Sequence, residues 1–148
     1  MKRTIQLTID CAEPDRLARF WALALDYVPE EPPGGFPSWV EYWRSRGVSE
    51  NELGGEGYDS IVDPSGVGPR IWFQPVPEPK LVKNRVHLDL MVSGGGGVPL
   101  AARQSRVNAE VARLEAAGAT RVGVVPTTAR EHYGVAMLDP EGNEFDVG

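Results

Sequence analysis

The residues best suited to chemistry fall in two short stretches near the C-terminal half of the chain. In Val86–Val92, apolar Val86, Leu88 and Leu90 alternate with His87, Asp89 and Met91. On a strand His87 and Asp89 share one face, about 7 Å apart along it. Asp89 there would orient the imidazole, take a proton from it, or simply hydrogen-bond on a pocket wall. In Asn143–Val147, Glu144 and Asp146 share a face in the same way. Two neighbouring carboxylates raise the pKa of one of them, which suits a general base. The alternative for Glu144 is a solvated rim residue. Asp146, Glu144 and Asp89 are therefore the candidate catalytic groups.

A second set could hold a ligand. Trp39 and Trp43 share a face if Trp39–Trp43 is a strand, with Tyr42 on the other. Trp72 lies two residues before Gln74, and Tyr133 opens a later strand. Aromatic walls suit a planar or apolar small molecule. They also fill cores, and for Trp21 on a helical stripe the core is the expected place. Other motifs carry less. Gly94–Gly97 has no following Lys-Ser/Thr and so is no phosphate loop. Lys80, Lys83 and Arg85 read as solvated connector residues. His132, beside Arg130 and Glu131, reads as surface. The single cysteine, Cys11, excludes an intrachain disulfide and has no histidine at a recognisable spacing.

The elements that must position these groups follow from periodicity. Ile5, Leu7 and Ile9 alternate with Gln6, Thr8 and Asp10, which marks a half-buried strand. A helix follows over Pro14–Tyr27, with Pro14 at its first position, Asp15 in its first turn and Leu17, Phe20, Trp21, Ala24 and Leu25 as its apolar stripe. Pro29–Gly35 reads as a loop and Ser45–Gly57 as a polar turn. Ser60–Val62 and Arg70–Gln74 read as strands about the turn Asp63–Gly66. Pro75–Lys83 is a proline-rich connector. The pattern then restarts with the strand at Val86 and a helix carrying Val107, Val111 and Leu114, closed by Gly118. Strands over Arg121–Val125, Tyr133–Leu138 and Asn143–Val147 complete it, with the turn Asp139–Gly142 before the last. The order is β-α-β-β-β, a connector, then β-α-β-β-β. Three local matches support the repeat: Ile5-Gln6-Leu7 with Val86-His87-Leu88, Asp63-Pro64-Ser65-Gly66 with Asp139-Pro140-Glu141-Gly142, and Phe73-Gln74 with Phe145-Asp146.

These stretches, above all Gln6–Asp10, the Pro14–Tyr27 helix, Arg85–Leu90 and Asp139–Phe145, resemble the vicinal-oxygen-chelate superfamily of glyoxalase and bleomycin-resistance proteins. The resemblance covers nearly the whole chain and is nearest to small bacterial glyoxalase-like proteins. It implies an α+β fold of two βαβββ modules, about residues 1–77 and 85–148 of one domain. They would form a cupped eight-stranded mixed sheet with helices on its outer face. Ile5, Leu7, Ile9, Val86, Leu88 and Leu90 would then face the helices, and Gln6, Thr8, Asp10, His87, Asp89 and Met91 the cup. Thr8, Trp39, Trp72, Met91 and Tyr133 become the expected pocket lining.

The resemblance also implies a metal set, carried over as Gln6, Gln74, His87 and Asp146. Imidazole and carboxylate suit a divalent first-row ion such as Zn, Ni, Mn or Fe. Gln74 departs from the pattern, where a carboxylate is usual, and Asp146 is shorter than the usual glutamate, so affinity is expected to be weak. The same four residues also read as a hydrogen-bonded polar floor. Two functions follow. One is a metal-dependent lyase or isomerase, with a ring-opening dioxygenase fitting less well. The other is a metal-free protein that binds or sequesters a small molecule. A regulatory module is a third. A net charge of −6 over 148 residues argues against a nucleic-acid partner. The longest apolar run, Phe20–Leu25, is far below the ~18 residues of a membrane span. A cytoplasmic homodimer is the expected setting.

Overall fold

In the computed structural model the described residues are 3–53, 57–126 and 132–148. The chain divides into two compact units. One runs to Ala22 and resumes over Asp26–Pro77; the other takes Leu23–Leu25 and Glu78–Gly148. Among the described residues no helix is long and apolar enough to cross a membrane.

The first unit contains β1 (Gln6–Cys11), α1 (Pro14–Leu25), β2 (Val28–Pro29), a 3-10 turn at Pro33–Gly35, α2 (Trp39–Ser45), β3 (Ser60–Val62) and β4 (Arg70–Pro75). Its sheet has the order β1-β4-β3-β2. β1 and β4 are parallel, and the other neighbours are antiparallel. The second unit repeats the scheme with β5 (Asp89–Leu90), α3 (Leu100–Ala116), β6 (Thr120–Val124), β7 (Val135–Leu138) and β8 (Glu144–Val147), in the order β5-β8-β7-β6. Each unit is thus a βαβββ module, as expected; the eight described strands form two mixed four-stranded sheets rather than one, because those of one module pair only within it.

Alternation decides which strand residues enter the core. In the first unit Cys11, Ile61, Ile71 and Phe73 are buried together with Leu17, Phe20 and Trp21 of α1. Phe20 and Trp21 meet edge-on at 5.4 Å. In the second, Leu90, Val135, Met137, Phe145 and Val147 are buried with Val107, Val111 and Leu114 of α3. The neighbouring polar positions fall on the opposite face of each sheet. The expected burial fails at Ile5 and Val86, which are 75% and 79% exposed because both precede the paired part of their strands. Only Asp89–Leu90 of the expected Val86–Val92 strand is regular, although Asp146 and Gly148 still donate to the carbonyls of Leu88 and Leu90.

The turns closing each module are built alike. The buried Asp139 carboxylate accepts from the Glu141 and Asn143 amides, and Gly142 takes the positive φ that the turn requires. In the first module Asp63 accepts from the Ser65, Val67 and Gly68 amides, which hold its pKa at about 2.

One element differs in kind from the expectation. Trp39–Trp43 is not a strand but the body of α2. The Ser38 hydroxyl accepts from the Glu41 amide at 3.2 Å, Glu41 occupies the first turn and Arg44 the last. This Ser-x-x-Glu start is a helix signal that outweighs the strand preference of aromatic residues. It also gathers Trp39, Tyr42 and Trp43 at helical spacing, so the three rings pack on one another.

Candidate functional site

The open face of the first sheet carries a polar row set by strand register. Thr8 pairs with Trp72 and Trp72 with Ser60, and the Glu30 amide donates to the Ser60 carbonyl. Beside this row Gln6 pairs with Arg70. The side chains join up accordingly. Arg70 donates through Nε and Nη2 to Glu30 Oε2, at 2.9 and 2.6 Å, and through Nη1 to Gln6 Oε1 at 2.9 Å. Burial pushes the Glu30 carboxyl up, but the hydrogen bonds from Arg70 and Ser60 outweigh it and leave the pKa below its usual value. The Ser60 hydroxyl lies 3.0 Å from both Glu30 Oε2 and Asp59 Oδ1. Asp59 Oδ2 accepts the Trp72 indole N–H at 3.3 Å.

This face forms the floor of a cavity of about 890 Å³. Its walls are α2, the start of α1 and the Gly57–Asp59 segment. That segment is tied to α1, because the Tyr58 amide donates to Asp15 Oδ1 at 2.8 Å. Gly57 is required there: an added Cβ would lie 2.6 Å from that of Asp15. Trp39, Tyr42, Trp43, Tyr58 and Trp72 supply the aromatic lining. Trp39 and Trp43 stack with their planes 25° apart, and the Trp39 indole is fixed by the Glu30 carbonyl at 2.9 Å.

The second unit holds a different group on its open face. Asp89 and Asp146 are register partners on β5 and β8. His87 Nδ1 lies 2.8 Å from Asp89 Oδ1 and 3.9 Å from Asp146 Oδ2. One ligand atom from each of the three lies within 4.8 Å of the others. An imidazole and two carboxylates are suitable donors for a divalent first-row ion, and the site is exposed enough to admit one. Asp89 thus lies with His87 and Asp146 in a group whose atoms could hold an ion, a placement beyond the orienting or basic role that spacing suggests for it. Glu144 behaves differently. It accepts the Asn84 amide at 2.9 Å and the Lys80 ammonium at 3.0 Å, which hold its pKa at about 2. The raised pKa expected of a general base is replaced by a lowered one. Lys80, read as a solvated connector residue, is its partner.

The glutamines of the carried-over metal set do not converge. Asp10, not Gln6, is the register partner of Gln74. Gln6 lies four positions away, about 13 Å along the strand, and is engaged by Arg70. Matching Gln74 to Asp146 makes Asp10 the counterpart of Asp89 and Thr8, not Gln6, the counterpart of His87. Of the expected pocket residues, Trp39 and Trp72 line the cavity, and Thr8 is the exposed register partner of Trp72. Met91 is 75% exposed in the second unit, and Tyr133 donates its hydroxyl to Asn108 of α3. Cys11 is buried. His132 is exposed, while Arg130, Glu131 and residues 54–56 lie outside the described residues. Sequence reasoning missed Glu30, Asp59 and Arg70, whose partners are distant in the chain or carry no local pattern.

Residues 6–148 match the family model described as a glyoxalase-like domain. The chain therefore belongs to the glyoxalase-like domain family, within the vicinal-oxygen-chelate superfamily. Among solved structures it is similar to a FosX variant, a genomically encoded fosfomycin resistance protein from Listeria monocytogenes complexed with Mn(II) and 1S,2S-dihydroxypropylphosphonic acid. That likeness has a TM-score of 0.62 at 10% identity, covering 99% of this chain and 91% of that one. A glyoxalase/bleomycin resistance protein/dioxygenase family enzyme from Burkholderia phytofirmans PsJN has a TM-score of 0.57 at 16% identity, covering 96% and 94%. Hypothetical protein SA1046 from S. aureus has 0.56 at 16%, covering 99% and 96%. At these identities the likeness speaks for the fold alone. No curated protein is similar enough in sequence to match.

The Glu144 clasp has a pH signature. Its carboxyl titrates at about 2 in the folded chain against an ordinary value of 4.5. The stability it contributes is complete above 4.5 and is lost as pH falls through about 2. Urea unfolding of Glu144→Gln should show a lower midpoint than the wild type at neutral pH, with the two converging toward pH 2. A gap unchanged across that range would contradict the clasp.

Proposed function

We propose that this protein binds a flat, largely apolar small molecule in the cavity of its first unit, as a binding or sequestering protein. The observation that carries this reading is the wall itself. Trp39 and Trp43 are stacked on a helix none of whose residues is buried, and Trp72 belongs to the same cavity lining. Trp43 is 44% exposed. Apolar area of this kind, with a few fixed polar groups on the floor, is what small-molecule sites need. The volume, about 890 Å³, is enough for a drug-sized molecule. The Arg70–Glu30 pair fixes the floor rather than reacting, since each charge neutralises the other.

A second reading keeps the metal-dependent lyase or isomerase, favoured by the His87, Asp89 and Asp146 cluster. Those three residues would hold a divalent ion, and the ion would supply Lewis-acid polarisation of a substrate oxygen. His87 would be oriented by Asp89, whose oxygen already meets Nδ1. The Mn(II) in the FosX variant belongs to that protein, and its fold is the link to this one.

Calorimetric titration with flat aromatic compounds separates the readings. Acridone, a neutral three-ring compound, should bind the wild type, and Trp39→Ala or Trp72→Ala should weaken it about tenfold or more. Affinity unchanged in both variants would overturn the cavity reading. Elemental analysis after loading with Zn²⁺ or Mn²⁺ addresses the other: stoichiometric metal lost in His87→Ala supports the enzyme, and none retained by the wild type contradicts it.

A further inference from the structure

We infer that the cavity of the first unit is built for a flat organic cation, its positive charge placed against Asp59. This rests on the reading of that cavity as the ligand site, and adds the charge the ligand must carry.

The described lining holds five carboxylates, Glu13, Asp15, Glu30, Glu52 and Asp59, and two guanidiniums, Arg16 and Arg70. Both guanidiniums are engaged. Arg70 is held by Glu30 at 2.6 Å, and Arg16 lies 3.9 Å from Glu13. Asp15 is paired with Arg19 at 2.9 Å. Glu52 is exposed and accepts from the Ser49 amide and hydroxyl. Asp59 likewise has no described cationic partner, but it is half-buried. Its side chain accepts from the Trp72 indole and lies 3.0 Å from the Ser60 hydroxyl, whose one proton it shares with Glu30, and no described lysine or arginine forms an ion pair with it. Two donors leave about half of a carboxylate's acceptor capacity open. Asp59 lies half-buried where the Gly57–Asp59 wall meets the sheet face at Trp72, and screening there is weaker than at an exposed site.

The aromatic walls favour the same sign of charge, because a ring face is the negative end of its quadrupole. Two rings of the lining already carry a guanidinium. Arg19 lies 4.8 Å from the centre of Tyr58, and Arg46 lies 5.4 Å from that of Tyr42. Trp72 offers indole surface beside the Asp59 carboxylate, and the stacked Trp39–Trp43 pair lines the same cavity. A flat cation such as a protonated aminoacridine or aryl amidine satisfies both features at once. A neutral ring system gains only the stacking, and an anion is repelled by the floor.

The test compares proflavine, a flat three-ring cation at neutral pH, with neutral acridone by fluorescence titration. Proflavine should bind about tenfold more tightly. Asp59→Asn keeps the side-chain shape and should remove that advantage by weakening proflavine alone. Rising salt should weaken proflavine and leave acridone unchanged in the wild-type chain, a readout that does not depend on how the variant folds. Equal affinities, or a preference that survives Asp59→Asn and high salt, would overturn the charge assignment while leaving the cavity reading intact. Failure of both compounds to bind would overturn both.

Discussion

The parallel pairing of the first and last strand in each module governs everything that follows. A parallel pair cannot be closed by a hairpin, so a helix must cross over between its strands, and that helix buries one sheet face. The polar positions are then left together on the other face. In the first unit this pairing sets Gln6 beside Arg70 and Asp10 beside Gln74; in the second it sets Asp89 beside Asp146. The same scaffold therefore presents different chemistry twice. One face carries an arginine–glutamate pair and an aspartate under aromatic walls. The other carries an imidazole between two carboxylates.

The aromatic wall depends on a local event. Ser38 caps α2, and the helix turns three aromatic side chains toward one another. As a strand the same residues would have split between two faces, with Tyr42 opposite the tryptophans. The tie between Tyr58 and Asp15 joins the neighbouring wall to α1 and depends on the close approach that Gly57 allows. The cavity is thus shaped by capping and turn chemistry laid over a sheet whose register is already determined.

Most of the fold was legible because its strands alternate and its two long helices carry clean apolar stripes. The site was less so, for physical reasons that differ by residue. Alternation and repeat make Gln6 the equivalent of His87, whereas the register within each sheet makes Thr8 its equivalent. Period-two alternation is unchanged by a shift of two residues, so only hydrogen bonding between strands could choose. The helical nature of Trp39–Ser45 was present in the Ser38 and Glu41 spacing but was masked by aromatic strand preference. Glu30 and Arg70 are 40 residues apart and no local pattern links them. The lowered pKa of Glu144 depends on Lys80 and the Asn84 amide, which reach it from the connector. His87 and Asp89, by contrast, share a face by spacing, the resemblance joins Asp146 to His87, and the three lie together.

The central claim is that the first unit's aromatic cavity, rather than its buried core, receives a ligand. The chain's four tryptophans report on this separately, since Trp21 of α1 is buried in the core while Trp39, Trp43 and Trp72 line the cavity. Indole N–H resonances of ¹⁵N-labelled protein, followed during titration with acridone, measure it directly. The three cavity indoles should shift together to saturation while that of Trp21 stays in place. Cavity indoles that do not move, or a shift confined to Trp21, would contradict it.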